Sequence, residues 1–168
     1  MKNQPSNELI HYKTSSASHD EILKHLWCCD KNHTPKLSDR LDIPTYAKKL
    51  FENSVTFEAW SESNLIGLVA IYLDDEKQGF ISNVSVSDQF MNKGIAKVLM
   101  QHCINDAINK RLSALSLEVS NKNNTAIYLY TKFGFKYIEG QKSCQKNSPI
   151  RMRLNVKEWP DHESPAKL

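Results

Sequence analysis

Apolar and polar positions alternate along this chain in two different rhythms, and the switch between them marks the elements. Leu9 to Lys13 alternates weakly and predicts a first strand. Ser18-His19-Asp20-Glu21 reads as a capping box, because the Ser18 hydroxyl and the Glu21 carboxylate can each satisfy the other's backbone N–H. The helix that starts there carries Ile22, Leu26 and Cys29 on one face. Asp30 to Asp42 is polar and reads as a loop, after which Pro44, Tyr46, Ala47 and Leu50 predict a short amphipathic helix to about Asn53. From Val55 the rhythm becomes that of strands. Val55–Trp60, Leu65–Leu73 and Phe80–Val86 are joined by the turn-like segments Ser61–Asn64 and Asp74–Gly79.

A helical stripe follows, made of Ala96, Leu99, Met100, Cys103 and Ala107. Ala114–Val119 predicts a strand, Asn123–Phe133 a helix ended by Gly134, and Phe135–Ile138 and Ile150–Val156 the last strands. The order β-α-α-β-β-β-α-β-α-β-β predicts an α+β fold with a mixed sheet and helices on its faces. Residues 1–158 are expected to form one domain and 159–168 a flexible tail.

Composition narrows the class without naming the chemistry. At 168 residues, with 40% hydrophobic and 24% charged, the chain suits one globular domain and not a disordered one. The formal net charge of +3 is too small and too scattered to suggest a nucleic-acid partner. The longest apolar run, Leu65–Leu73, is strand-sized, so no membrane segment is expected. No apolar leader is visible near Met1, and Cys28, Cys29, Cys103 and Cys144 lack metal-site spacing. They read as reduced cysteines used as small apolar residues in a metal-free, cytoplasmic protein.

Two stretches carry chemistry. In Asn83–Lys97 a strand runs through a short polar loop into a helix, so free N–H groups of the first helical turn and the helix dipole would favour an anion, with Lys93 and Lys97 nearby. At Gly94 any Cβ would hold that anion away from the backbone. The spacing is neither a Walker loop nor a dinucleotide fingerprint. In the second stretch, Leu117, Val119, Asn123, Ala126, Tyr130, Gly134 and Phe135 fall at the spacing of a GCN5-related N-acetyltransferase (GNAT) signature. The chain resembles that superfamily over Val55–Phe135. Gly94 and Ala96 then match the family's coenzyme A pyrophosphate loop, whereas Met91 stands where the family usually has Arg or Gln.

The resemblance implies a mixed, mostly antiparallel central sheet with helices on both faces and a splayed cleft between two parallel strands. It implies acetyl-CoA as co-substrate, no metal, and transfer of the acetyl group to an amine by direct attack in a ternary complex. Backbone groups of Val84 and Val86 would hold the pantetheine arm, and Met91, Asn92, Lys93, Gly94, Ile95 and Ala96 the pyrophosphate. Asn123 would reach the coenzyme or cap its helix. Tyr130 would protonate the departing thiolate, and Glu118 would serve as base, with Glu58 or a water chain through Ser82 or Asn83 as alternatives. Phe57, Trp60, Tyr72 and Trp27 are expected in the core or a cleft wall. The acceptor would meet the segments near Trp27–Leu41 and Gly140–Ser148, a slightly basic rim with Lys31, Lys36, Arg40, Lys142 and Lys146. A small-molecule amine, such as an amino sugar or a nucleotide-linked sugar, is the expected partner. A peptide or protein amine is the alternative, and a non-catalytic acyl-CoA-binding module a second one. The sheet edges leave a homodimer open.

Overall fold

The computed structural model describes residues 9–33, 35–75, 77–138 and 148–159. Along it run β1 (Ile10–Thr14), α1 (His19–Cys29), α2 (Ile43–Asn53), β2 (Ser54–Ser61), β3 (Asn64–Asp75), β4 (Gln78–Val86), α3 (Ile95–Asn109), β5 (Ala114–Val119), α4 (Asn124–Lys132), β6 (Lys136–Tyr137) and β7 (Ile150–Asn155). The expected order of elements is therefore present. The strands form one open seven-stranded sheet in the order β1-β2-β3-β4-β5-β7-β6. The sheet is mixed and mostly antiparallel. β1 pairs antiparallel with β2, and β7 antiparallel with both β5 and β6. β4 and β5 run parallel through four pairs only, Gln78↔Ala114 to Ile81↔Leu117, although β4 continues to Val86.

The first of two compact units holds the described residues up to Ile71 together with Asn83–Cys103. Its helices begin as the sequence dictates. Ser18 accepts from the Glu21 N–H while the Glu21 carboxylate accepts from the Ser18 N–H, closing the capping box. Asp42 caps α2 through the Thr45 N–H, with Pro44 in the first turn. Ile22, Leu26, Ile43, Ala47 and Leu50 are buried by these two helices. The expected loop 30–42 includes two short 3-10 turns, Asp30–Asn32 and Leu37–Asp39, tied by Asp30 accepting from the Ser38 N–H at 2.7 Å. Gly67 in β3 lets α3 come close: a Cβ there would meet Ile95 Cγ2 at 2.9 Å and Leu99 Cδ1 at 3.0 Å.

The second unit holds Tyr72–Ser82 and the described residues from Ile104 onward. Ile104, Leu112, Leu115, Leu117, Phe133, Phe135, Met152 and Leu154 fill its core. Gly134 adopts φ +83° just beyond α4, as a left-handed helix end requires. Trp159, assigned to the tail by sequence, stacks on Phe133 with ring centroids 5.8 Å apart. The rest of that tail, 160–168, lies outside the described residues, as do 140–147 of the expected acceptor rim with Lys142 and Lys146.

Two other expectations are corrected. Trp27 is 51% exposed, unlike the buried Phe57, Trp60 and Tyr72. Cys28 is exposed while Cys29 and Cys103 are buried. Consecutive helical positions diverge by about 100°, so only one residue of the Cys28-Cys29 pair can face the core. Among the described residues no helix is long and apolar enough to cross a membrane, and no group of three His, Cys, Asp or Glu gathers as metal ligands.

Candidate active site

In the first unit the site grows from the end of β4. The Ser87 N–H donates to the Ile66 carbonyl at 2.8 Å, so the backbone groups of Ser85 and Ser87 turn toward β3. Strand alternation turns those of Val84 and Val86 the opposite way. Asn32 Nδ2 already donates to the Val86 carbonyl at 3.3 Å. A one-turn 3-10 segment, Asp88–Phe90, then leads into the loop, where the Lys31 ammonium lies 2.7 Å from Asp88. Met91 is 44% exposed, and Asn92 takes the left-handed φ of +60°. Lys93 Nζ lies 4.9 Å from the centre of the Phe90 ring. Gly94 has φ +78°, a conformation that L side chains rarely adopt, with no heavy atom within 4 Å of an added Cβ. The Gly94 carbonyl accepts the first helical bond of α3, from Val98, so the amides of Ile95, Ala96 and Lys97 belong to the unpaired first turn. Open space over a glycine, at the positive end of a 15-residue helix, fits a pyrophosphate.

Beneath this strand lies a buried polar chain that spacing alone did not reveal. His25 of α1 is 2% exposed. Its Nδ1 lies 3.0 Å from the Leu65 carbonyl oxygen and its Nε2 2.9 Å from Ser85 Oγ, which in turn lies 2.7 Å from Asn83 Oδ1. Burial pushes the imidazole down to about pKa 4. Cys29 Sγ is 3.6 Å from Nε2, and burial pushes that thiol up to about 11. The available signals were His25 on the same helical face as Ile22 and Cys29, and polar Asn83 and Ser85 at the inward positions of β4.

Glu58, an alternative base in the sequence reading, is fully buried. It accepts from Ser16 N–H and Oγ–H, Ala17 N–H, Thr56 Oγ1–H and Trp60 Nε1–H. Burial alone would raise its pKa; the hydrogen bonds from Ser16, Thr56, Ala17 and Trp60 outweigh burial and hold it below the ordinary value. A carboxylate so saturated pins the start of α1 to β2.

In the second unit Tyr130 is buried against Phe135, ring centroids 5.9 Å apart, and burial raises its phenol well above the usual range. Tyr128, on the other side of α4, is 65% exposed. Asn123 accepts from the Ala126 N–H at 3.1 Å, which is an N-cap. Glu118 faces outward on β5 and accepts from Arg151 Nε, its direct cross-strand partner on β7.

An open mixed sheet whose parallel pair is short, followed by a glycine-marked loop and helix start, is the arrangement that the sequence resemblance implied. The sequence model of the acetyltransferase (GNAT) family matches residues 19–135, and the chain belongs to that family. It is 35% identical over 95 residues to YsnE, an uncharacterized N-acetyltransferase of Bacillus subtilis (strain 168), covering 55% of this chain and 63% of that protein. It is 33% identical over 87 residues to streptothricin acetyltransferase of Streptomyces lavendulae, covering 51% and 46% respectively. The chain thus spans less than two thirds of the length of the curated relatives it matches. Its fold is also that of PaiA N-acetyltransferase from Thermoplasma acidophilum in complex with coenzyme A, at TM-score 0.66 and 14% identity, covering 88% of this chain and 99% of that one.

Proposed function

We propose that this protein is an acetyl-CoA-dependent N-acetyltransferase acting on a small-molecule amine. The observation that carries the reading is the loop Met91–Ala96, with Gly94 at φ +78° and open space above it at the start of α3. The amides of Ile95, Ala96 and Lys97 would hold the pyrophosphate, helped by Lys93. Met91 in place of Arg or Gln removes one side-chain contact, a loss on the order of 1 kcal/mol that leaves the backbone cradle intact. The Val84 and Val86 backbone would pair with the pantetheine arm as a strand would. Of the Val86 groups, the N–H is the one left for this, since its carbonyl serves Asn32.

In the transfer, the neutral amine forms a bond to the thioester carbon, the C–S bond breaks, and the amine gives up one proton. Tyr130, kept protonated by burial, donates its O–H proton to the leaving thiolate. Glu118 is assigned as the base, with Arg151 as its ion-pair partner across the strands. Asn123 would meet the coenzyme with the end of its amide not used in the cap. The likeness to streptothricin acetyltransferase favours a small amine over a peptide one. Lys36 and Arg40 would favour an anionic acceptor such as a nucleotide-linked amino sugar; Lys31 is spent on Asp88. The exposed thiol of Cys28 suits a reducing, cytoplasmic setting.

The test is calorimetric titration with acetyl-CoA and, separately, with free CoA, followed by thiol release across an amine panel. Micromolar binding that Gly94→Glu weakens at least 100-fold is expected, because the new side chain brings strain and a negative charge to the anion site. No binding at millimolar coenzyme would overturn the reading. Binding without turnover of any amine would leave a non-catalytic acyl-CoA-binding module.

A further inference from the structure

The polar chain under β4 has a direction that its chemistry fixes. A carbonyl oxygen only accepts, so Leu65 requires a proton on His25 Nδ1. Ser85 Oγ faces two groups, His25 Nε2 and Asn83, and its single hydroxyl proton can serve only one of them. With an imidazolium, Nε2–H donates to Ser85 and Ser85 donates to Asn83 Oδ1. With a neutral ring, Ser85 donates to Nε2, and the Asn83 amide must turn to present Nδ2–H to Ser85. Burial at 2% exposure, with the neutral Cys29 thiol beside the ring, favours the neutral ring. His33, the other titratable group whose charge acts on it, also opposes protonation.

We propose that His25 is a positioning residue of the donor strand: Asn83 donates to Ser85, Ser85 to His25, and His25 to the Leu65 carbonyl, and this one-way chain holds β4 in register where Val84 and Val86 present their backbone. Ser85 lies between those two valines in sequence, and its side chain is anchored to α1 and not to solvent. The chain ties three elements, α1, β3 and β4, through the side chains of His25 and Ser85. In this arrangement Asn83 Oδ1 is the end of the amide left to accept a further N–H. The inference rests on acetyl-CoA binding along β4, as proposed above.

Two readouts on the full-length protein test it. Long-range proton–nitrogen NMR of the histidine rings at pH 7 should show His25 as the neutral Nδ1–H tautomer, with its ring nitrogen shifts moving when acetyl-CoA saturates the protein. An Nε2–H tautomer, an imidazolium, or ring shifts unmoved by saturating acetyl-CoA would overturn the proposal. In calorimetry, Ser85→Ala should raise the dissociation constant for acetyl-CoA about fivefold, the worth of one net hydrogen bond, and Ser85→Thr should restore it to within twofold. An unchanged constant in a folded Ser85→Ala protein would overturn the positioning role. Wild-type protein that binds no acetyl-CoA would instead sink the donor site itself, and the NMR tautomer would still stand or fall separately.

Discussion

Burial sets the behaviour of Tyr130 before any ligand arrives. Burial raises its phenol well above the ordinary value, so at neutral pH it keeps the O–H proton that the proposed reaction asks it to donate. Tyr130→Phe should lower kcat about 100-fold or more while the KM for acetyl-CoA changes by less than threefold, measured as thiol release at saturating amine. Equal kcat values would remove Tyr130 from the chemistry. At this scale the sequence was informative where one local pattern decides a residue's role. Ser18 and Asn123 cap their helices, as read, by contacts three residues away. It was silent where partners are distant. His25 meets residues 40 and 60 positions along the chain, and Glu58 meets Ser16 and Ala17 more than 40 positions back. No periodicity encodes such pairs. Trp27 illustrates the converse: it reads as core or cleft wall, and its half exposure on α1 excludes the core.

Among the elements, β3 shows how composition and contact act together. Its run Leu65–Leu73 read as a strand covered on both faces, and Leu68, Val69 and Ala70 have no exposed surface. Gly67 interrupts the run because α3 packs there too closely for a side chain. Gly67→Ala should therefore destabilise the protein by about 1–3 kcal/mol through the clash with Ile95 and Leu99, read as a lower urea midpoint at unchanged m. An unaltered midpoint would mean that α3 moves away at no cost. The helix ends and β5 matched the reading closely because caps, Pro44 and glycine punctuation are local signals. The last strands matched less well: only Lys136–Tyr137 of Phe135–Ile138 pairs as β6, since a two-residue edge strand is defined by its partner and not by its own alternation.

For the whole molecule, acid is the revealing perturbant. His25 is held at about 4 against an ordinary 6.5, so between those values the unfolded chain binds more protons than the folded one. Its contribution is full above pH 6.5 and is lost as pH falls toward 4, a change of about 3 kcal/mol. Glu58 acts lower. Its carboxyl is depressed below the ordinary 4.5, so its contribution is full above 4.5 and disappears as pH falls through the folded value. Unfolding free energy measured by urea at stepped pH should decline from 6.5 downward, and His25→Gln should flatten the stretch between 6.5 and 4. A wild-type profile flat to pH 4.5 would contradict the burial of a neutral His25.

The Cys28-Cys29 pair turns α1 into its own reporter. In a chain carrying Cys103→Ala and Cys144→Ser, an alkylating probe should modify the exposed Cys28 within its mixing and reaction time, while Cys29, sealed beside His25 with its thiol pushed up to about 11, waits for the helix to lift. The second labelling event then clocks local opening of the helix that anchors β4, residue by residue, without a spectroscopic tag and under conditions where the protein stays folded. Coenzyme added during that chase would slow the clock if the helix and the donor strand open together.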